Sequence, residues 1–503
     1  MVPLTPLLAL EVADLVRVDD PNWPGAIAHS ETGSLLTEPP PPGVPWRYET
    51  AAVPDPVEGE RDGATARSAW PATDTLEVTN ALDWHARGVT GKGVKIALFD
   101  SSFYGGEAPL AELGTFTTHD CLFSSSCEAP LDMNAPTFSA EEGRHGIACA
   151  ETIHDVAPDA ELHLVRVNGF TTFENGVAWA AREGIDFVSM SMSFYHASFY
   201  DGTGPFDAQL ERLEAAGALL ASSAGNNAGT HWSGAWRDGD LDGRLDGLGD
   251  NAFYAYDTGA APTFYLSWNR YPNCPETDLD LYVYDLDDNL LGAGESVQAA
   301  GQDRCEPVEK VTSAPAADGW YRIEVVLARG SASGLVVDLL PRDMAMFQGN
   351  SAGSVADPGS NPLTFAVGAV KADGYLQNGP EGFSSRGPTH GGVNKPDIAG
   401  PDGLSSSIYG PAGFFGTSAS TPAVAGLLAL VLSEDPSLTP REASETLQGW
   451  AFGEAGFSQD NALGAGKARL PVGSPDDPQP CGRRRMVMPL FLLPVWWWAG
   501  RRR

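Results

Sequence analysis

Residues 416–432 read Gly-Thr-Ser-Ala-Ser-Thr-Pro-Ala-Val-Ala-Gly-Leu-Leu-Ala-Leu-Val-Leu. The apolar second half of this stretch predicts a buried helix. Because proline is tolerated in the first turn of a helix and not in its interior, Pro422 predicts that the helix starts close by, with Ser418 at its N-terminal end. Backbone N–H groups and the helix dipole favour a developing negative charge at that position. Ser418 is therefore a candidate for chemistry rather than for packing alone.

Upstream of this helix, apolar segments of strand length alternate with helical segments. Strands are predicted at 94–99, 161–167, 185–191 and 218–223, and helices at 171–180 and 206–216. Thr171 and Glu174 have the spacing of a capping box at the start of the first of these helices. Alternation of this kind is typical of an α/β protein with a doubly wound parallel sheet.

The alternation stops after residue 227 and resumes with a strand at 363–370. In between, short strands of period two are predicted at 263–268, 278–285, 320–327 and 334–340, separated by Asp, Gly and Asn turns, which is typical of a β-sandwich. We therefore predict an α/β fold with an inserted all-β sandwich. The predicted organisation is an N-terminal extension (1–75), the first part of the α/β domain (76–228), the sandwich (229–345), the second part (346–470), and a linker with a C-terminal tail (471–503).

Polar residues follow three of the predicted strands. Asp100, Ser191 and Asn226 fall at or just beyond the strand ends, and His145 stands where a loop enters an apolar helix. In open parallel sheets the reactive crevice lies beyond the carboxyl ends of the strands. We therefore expect these side chains to converge on Ser418.

Several segments together carry a family resemblance: Ile96-Ala97-Leu98-Phe99-Asp100, His145-Gly146 with Cys149, Val156-Ala157-Pro158, Ser189-Met190-Ser191, Ser223-Ala224-Gly225-Asn226, Phe383-Ser384-Ser385-Arg386-Gly387-Pro388, and residues 416–422. They resemble the subtilisin-like serine peptidases, the subtilase family, and the resemblance covers roughly residues 76–228 and 346–470. Their Asp, His and Ser residues occur in the order that is known for subtilisin.

The resemblance implies a serine endopeptidase that acts on protein or peptide substrates. It implies that Ser418 is the nucleophile, His145 the base, Asp100 the residue that orients the imidazole, and Asn226 a donor to the oxyanion. It also implies a substrate-binding surface made of Ser191, Met192, Ser193, Ala224 and Gly225.

Two positions near these residues bear on specificity and on thiol chemistry. Ser193 and Phe194 replace residues that are normally glycine in the family, so side chains there narrow the primary specificity pocket. Cys149 lies one turn after His145, as in the thiol-containing branch of the family, and we expect it to be a small buried core residue.

Two functions other than a serine endopeptidase are the alternatives. A catalytically inactive subtilase scaffold would bind surfaces through its insertion, but the presence of Asp100, His145, Asn226 and Ser418 together argues against it. A lipase or esterase is disfavoured because no Gly-x-Ser-x-Gly elbow surrounds Ser418.

Residues 238–246 read Asp-Gly-Asp-Leu-Asp-Gly-Arg-Leu-Asp, which matches the start of a calcium loop. Oxygen ligands stand at alternate positions, with glycine sixth and an apolar residue eighth, but Gly249 occupies the twelfth position, where an acidic ligand belongs. A structural Ca²⁺ ion and a solvated acidic turn are both consistent with this pattern. The candidate ligands are Asp238, Asp240, Asp242 and Asp246.

Composition and cysteine spacing bear on the partners of the protein and on its cellular compartment. The chain has 503 residues, 42% of them hydrophobic, and a formal net charge of −35, which makes nucleic acid an improbable partner. Of the six cysteines, Cys121 and Cys127 are predicted to form one local disulfide and Cys274 and Cys305 another, leaving Cys149 and Cys481 over. Disulfides favour an oxidising compartment.

The C-terminal tail carries a further signal. A Pro-rich linker leads to Cys481, three arginines, an apolar run at 486–500 and three terminal arginines. The apolar run is shorter than the ~20 residues that span a bilayer as a helix. Its order resembles the C-terminal sorting tags of Gram-negative bacteria such as myxobacteria, which implies contact with the membrane and the export machinery, and a secreted or cell-surface protein on the outer membrane. A peripheral or tail-anchor segment is the alternative.

Overall fold

The structure is a computed structural model that describes residues 73–133, 144–247, 251–257, 262–270, 276–298, 306–342, 344–347, 349–451 and 460–473. The predicted N-terminal extension up to residue 72, the tail from residue 474 and the Cys274–Cys305 pair lie outside these ranges. The Cys121–Cys127 disulfide is present. Among the helices within the ranges, none is both long and apolar enough to cross a membrane.

The described part of the chain contains eight α-helices and eighteen strands, numbered here in chain order. The helices are α1 Thr73–Val78, α2 Ala81–Ala86, α3 Glu107–Leu110, α4 His145–Val156, α5 Phe170–Glu183, α6 Asp207–Ala215, α7 Thr417–Glu434 and α8 Pro440–Trp450. The strands are β1 Lys95–Asp100, β2 Phe116–Asp120, β3 Glu161–Arg166, β4 Phe187–Met190, β5 Leu219–Ser223, β6 Trp232–Ala235, β7 Phe253–Tyr256, β8 Thr263–Trp268, β9 Asp278–Tyr284, β10 Leu290–Gly294, β11 Val308–Thr312, β12 Trp320–Arg329, β13 Val336–Arg342, β14 Ala345–Met346, β15 Phe365–Lys371, β16 Ile398–Asp402, β17 Leu404–Ser406 and β18 Gly410–Phe414.

A seven-stranded sheet forms the centre of the molecule, in the order β16-β15-β5-β4-β1-β3-β2. All neighbouring strands are parallel. In β1, Ile96 and Leu98 belong to the core shared with α4 and α7, whereas Ala97 and Phe99 belong to the core shared with α5 and α6. Helices cover both faces, so the prediction of a doubly wound α/β sheet is confirmed.

Helix α7 is buried along nearly its whole length, from Thr417 to Leu432. The prediction that the helix starts close to Pro422, with Ser418 at its N-terminal end, is confirmed, since the helix begins at Thr417; Pro422 itself lies just beyond the first turn. Proline has no N–H to donate to the carbonyl four residues earlier, which is that of Ser418. The Ser191 hydroxyl donates to that carbonyl instead, at 3.0 Å. A tertiary hydrogen bond therefore replaces the missing helical one.

The capping box predicted at Thr171 and Glu174 is wrong. Helix α5 begins at Phe170 after Gly169, whose φ is 90°. The Thr172 hydroxyl donates to the Gly169 carbonyl at 2.9 Å and so closes the first turn. Glu174 accepts a hydrogen bond from Gln209 of α6 at 2.7 Å, so its carboxylate is used in helix packing.

Between β5 and β15 the chain forms two antiparallel sheets, in the orders β10-β9-β12-β7-β14 and β11-β8-β13-β6. Their facing sides share one apolar core that includes Val337 and Leu339 of β13. Leu340 points to the other side of its sheet and packs with Tyr195 and Tyr200 of the α/β part. The outer face of the four-stranded sheet is thus covered by the α/β part.

Candidate active site

Asp100 and His145 form a buried pair at the end of the central sheet. Asp100 is the last residue of β1 and His145 the first of α4, and their side chains meet at 2.6 Å between Oδ2 and Nδ1. The other oxygen of Asp100 accepts the Ser102 N–H at 3.2 Å. Because a carboxylate can only accept, Nδ1 carries the proton and Nε2 is the nitrogen left to act as a base.

Gly146 fixes the entry of α4 against the loop that follows β1. A Cβ atom at this position would lie 2.6 Å from Cε1 of Phe103 and 2.8 Å from the Ser102 carbonyl oxygen. The Gly146 N–H donates to that same carbonyl at 3.3 Å. Only glycine permits this close approach, which holds His145 beside Asp100.

Ser418 is the second residue of α7 and is 4% exposed. The N–H groups of a first helical turn have no partner within the helix, so the Ser418 N–H is a donor directed out of the helix end. The Ser418 hydroxyl donates to the Ser191 carbonyl at 3.4 Å. Ser191 follows β4 directly, so the structure places Ser418 and Ser191 side by side.

Asn226 lies in the loop after β5 and contacts the residue that precedes Ser418. Its Oδ1 accepts from the Thr417 N–H at 3.0 Å and from the Thr417 hydroxyl at 2.9 Å. These two bonds assign the amide orientation, since only the oxygen can accept. The amino group, with its N–H donors, therefore points away from Thr417. Sequence reasoning missed Thr417, although it adjoins the quoted serine.

The predicted substrate-binding residues lie in two neighbouring segments. Met192 and Ser193 are buried, and the next residue, Phe194, donates its N–H to the Asp357 carbonyl at 2.8 Å. Gly225 has φ of 99°, and a Cβ there would lie 3.1 Å from Oγ of Ser385 and 3.8 Å from Oγ of Ser193. The Ala224 N–H is bonded to Val367 of β15.

The subtilase family model matches residues 91–261 and 266–466. The chain belongs to the subtilase family. It is 33% identical to the serine protease AprX of Bacillus subtilis over 115 residues, which are 19% of this chain and 26% of that protein. It is 24% identical to the minor extracellular protease Vpr of Bacillus subtilis over 440 residues, 79% of this chain and 53% of Vpr. The subtilase thus spans between about a quarter and a half of the length of these relatives.

Among solved structures, the CspB protease of Clostridium perfringens superposes on this subtilase with a TM-score of 0.55, covering 79% of this chain and 98% of that one. The two sequences are 16% identical over the match. At that identity the likeness shows the fold alone.

Cys149 is the immediate neighbour of the histidine in this subtilase. Its Sγ lies 3.5 Å from Nε2 of His145 and 3.8 Å from the Ser418 carbonyl oxygen. Burial raises the pKa of the Cys149 thiol, so near neutral pH the sulfur is uncharged. Burial alone lowers the pKa of His145, but the negative charges of a Cys149 thiolate and of Asp100 outweigh it and raise that pKa to about 10. The value of about 10 applies to the thiolate form; with a neutral thiol, Asp100 is the charge that remains to raise this pKa against the effect of burial.

The acidic loop of the subtilase lies before β7. The carboxylates of Asp238, Asp240 and Asp242 approach within 4.8 Å of one another. Asp238 accepts the N–H groups of Asp242 and Gly243 at 3.0 and 3.1 Å, which closes the loop. Asp246 does not join this group through the same contacts, since its Oδ2 accepts the Gly239 N–H at 3.0 Å. Leu245, the eighth residue of the loop, is fully buried.

Proposed function

We propose that this subtilase is a serine endopeptidase that hydrolyses peptide bonds of protein substrates through Ser418, His145 and Asp100. The observation that carries the proposal is the buried Asp100–His145 pair at 2.6 Å, next to a serine in the first turn of a buried helix. For packing alone, apolar residues at these two buried positions would serve as well as, or better than, a carboxylate and an imidazole. The pairing is explained if His145 acts as a base, because Asp100 then orients the imidazole and stabilises it when it gains a proton.

In the proposed reaction His145 Nε2 removes the Ser418 proton while Oγ attacks the carbonyl carbon of the substrate. Asp100 stabilises the imidazolium that forms. The proton then passes to the leaving amine, and a water molecule hydrolyses the acyl-enzyme by the same sequence of steps. The Ser418 hydroxyl, which now donates to the Ser191 carbonyl, has to turn to His145 Nε2. Such contacts commonly tighten only when substrate is bound.

The oxyanion is stabilised in this proposal by two donors, the Asn226 amino group and the Ser418 N–H. Their alignment is supported by the two hydrogen bonds from Thr417 to Asn226 Oδ1. Both donors are held before the reaction begins, so the transition state gains their interaction without the cost of reorganisation.

Substrate would bind in extended form between residues 191–193 and Ala224–Gly225. An added strand is recognised through its backbone, which allows many protein sequences to bind. The Ser193 side chain, close to Gly225, narrows the pocket for the side chain that precedes the scissile bond. We therefore propose a preference for small residues at that position.

Labelling with a fluorophosphonate probe, followed by a casein digest, tests the proposed activity. The wild-type chain is expected to be labelled and to digest casein, whereas Ser418→Ala does neither. Ser420→Ala is the matched control, because Ser420 is a buried serine in the same helix whose hydroxyl donates to the Gly400 carbonyl at 3.1 Å. Unchanged casein cleavage by purified Ser418→Ala overturns the proposal. A folded wild-type chain that is not labelled points to an inactive scaffold.

We further propose that the protein is exported to the cell surface or secreted. The Cys121–Cys127 disulfide supports an oxidising compartment, and Vpr is named as an extracellular protease. Fractionation of producing cells, with mass spectrometry of the C-terminus, tests this together with cleavage of the tail near Cys481. Protein found only in the cytoplasm with an intact tail contradicts it.

A structural Ca²⁺ ion held by Asp238, Asp240 and Asp242 is proposed for the acidic loop. The donor set fits, since carboxylate oxygens are the ligands that Ca²⁺ prefers and glycine stands at the sixth position with φ of 84°. The ion would supply charge neutralisation to three clustered carboxylates and would take no part in peptide hydrolysis. Asp246 accepts the Gly239 N–H on Oδ2, and it would bind the ion through its other carboxylate oxygen.

A further inference from the structure

A second buried cluster of potential metal ligands lies where the sandwich meets the α/β part. It consists of His231, which precedes β6, Asp338 in the middle of β13, and His390, in the loop after residues 383–388. His390 Nε2 lies 3.0 Å from Oδ2 of Asp338, and His231 Nε2 contacts Oδ1. One carboxylate is therefore faced by two imidazole nitrogens from distant parts of the chain.

The hydrogen bonds of His231 require a positive centre at this point. Its Nδ1 lies 3.0 Å from the Asn350 carbonyl, which can only accept, so Nδ1 carries a proton. In the neutral ring Nε2 then presents a lone pair to the Asp338 carboxylate, and the two would repel. Either a proton or a metal ion must lie between them. A backbone carbonyl on Nδ1 is the usual second partner of a metal-bound histidine.

Burial and packing set the geometry of the cluster before any ion binds. His231 and Asp338 are 2% and 0% exposed. The ring of Phe199 stacks on His390 with 4.3 Å between centroids. Gly353 borders both imidazoles, since a Cβ there would lie 3.2 Å from Cε1 of His390 and 3.6 Å from Cε1 of His231. The cluster is thus closely packed, by Phe199 on one ring and by the Gly353 backbone beside both.

The separations suit a single small ion. The three ligand atoms all lie within 4.8 Å of one another. Ligand atoms around a tetrahedral Zn²⁺ ion, with bonds of about 2.1 Å, are about 3.4 Å apart. Both histidine–carboxylate contacts are shorter than that value. Side-chain shifts that lengthen them therefore bring all three atoms into coordination.

We propose that His231, Asp338 and His390 bind one divalent transition-metal ion, with Zn²⁺ as the best fit. Two imidazoles and a carboxylate form a ligand set that Zn²⁺ accepts, with a fourth position for water. The ion would neutralise the buried carboxylate. It would also join β13 and the segment that enters β6, both in the sandwich, to the loop of the α/β part that carries His390. Its role is structural, and it does not depend on the peptidase proposal.

Metal analysis of the full-length chain tests the site, with Ser418→Ala present throughout to prevent self-digestion. After dialysis, elemental analysis is expected to find about one zinc per chain, because structural sites hold Zn²⁺ tightly. Replacement by Co²⁺ after treatment with 1,10-phenanthroline is expected to give the visible spectrum of a four-coordinate ion. His390→Gln, at the most accessible ligand, is expected to lower Zn²⁺ affinity at least about tenfold, since it removes a direct ligand.

Two controls separate this site from others. His85→Gln changes a histidine that contacts the Val156 carbonyl at 2.8 Å and lies outside the cluster, and Asp240→Asn changes the acidic loop. Both should keep the zinc content. The proposal is overturned if the chelator-treated, folded chain takes up neither Zn²⁺ nor Co²⁺, in which case protons alone hold the cluster. It is also overturned if His390→Gln, shown to be folded by circular dichroism, binds zinc as the parent does.

Discussion

The Ser191 hydroxyl donates to the Ser418 carbonyl at 3.0 Å, and the Ser418 hydroxyl donates to the Ser191 carbonyl at 3.4 Å. The first of these bonds satisfies a carbonyl that Pro422 cannot reach within α7. The segment after β4 is thereby fixed to the first turn of the helix that carries the candidate nucleophile. The candidate substrate-binding and catalytic segments are thus joined by two direct hydrogen bonds.

Replacement of Ser191 by alanine is expected to destabilise the protein. It leaves the buried Ser418 carbonyl with only the weak thiol donor of Cys149 at 3.8 Å, and the loss costs about 1–3 kcal/mol. Ser189→Ala is the matched control, because among the described residues the buried Ser189 hydroxyl has no hydrogen-bond partner. Urea denaturation of both variants in the Ser418→Ala chain measures the difference. Equal free energies of unfolding for the two variants would show that the Ser191 bond contributes nothing.

Asn226 and Thr417 are predicted to affect kcat to different degrees. Asn226→Ala is expected to lower kcat about 100- to 1,000-fold, the loss known for an oxyanion donor in subtilisin. Thr417→Val removes the hydroxyl that orients the Asn226 amide, and the loss of one hydrogen bond of about 1 kcal/mol predicts roughly a fivefold lower kcat with KM unchanged. Steady-state kinetics on a peptide amide checks both. A rise in KM alone for Thr417→Val would contradict a positioning role.

The pH dependence of hydrolysis is expected to show a base with a raised pKa. His145 must be neutral to accept the Ser418 proton, so kcat/KM rises as pH passes upward through its pKa. Burial opposes the charged form, whereas Asp100 favours it through its charge and its hydrogen bond, and the pKa is raised above its usual 6.5. The acid limb of the profile should therefore lie above pH 6.5. A midpoint at or below 6.5 in kcat/KM measured across pH 5 to 10 would contradict this assignment.

Ionisation of the buried Asp357 carboxyl group is expected to lower the free energy of unfolding as pH rises through the mildly acidic range. Burial raises its pKa from 3.8 to about 6, although the Ser198 and Ser360 hydroxyls donate to its carboxylate and partly offset this effect. Between these two values the native state holds a proton that the unfolded chain has lost, so the free energy of unfolding falls with rising pH. Asp357→Asn should remove that part of the slope. Parallel urea titrations of the variant and its parent at pH 4 and 6.5 check it, and identical slopes refute it.

Removal of Ca²⁺ is expected to lower the melting temperature. An ion that binds only the folded chain adds RT ln(1 + [L]/Kd) to the stability, so EDTA should lower Tm and excess Ca²⁺ should restore it. Asp242→Asn should abolish this response. Asp287→Asn, in the exposed turn between β9 and β10, is the control and should keep it. If calorimetry shows the same Tm with and without EDTA, the Ca²⁺ site is refuted and the loop is a solvated acidic turn.

The sequence by itself determined the class of the fold and many of its elements. The strand predicted at 94–99 is β1 Lys95–Asp100, and the one predicted at 263–268 is β8 Thr263–Trp268. These predictions succeed because a strand buried on one face shows alternating apolar residues, and a strand buried on both faces shows a continuous apolar run. The motifs also identified Asp100, His145, Asn226 and Ser418 as candidates, and the structure brings Asp100 and His145 into contact.

Only the tertiary structure decided how two helices begin and which distant residues meet. Helix α7 begins at Thr417, so Pro422 lies beyond its first turn, and Ser191, 227 residues away from Ser418, supplies the donor that the proline lacks. Asp338 meets His231 and His390 across 107 and 52 residues. Hydrogen bonds of this kind form between a sheet face and loops that pack on it. The chain topology decides which residues pair in these hydrogen bonds, and the local pattern of apolar residues in the sequence does not predict that topology.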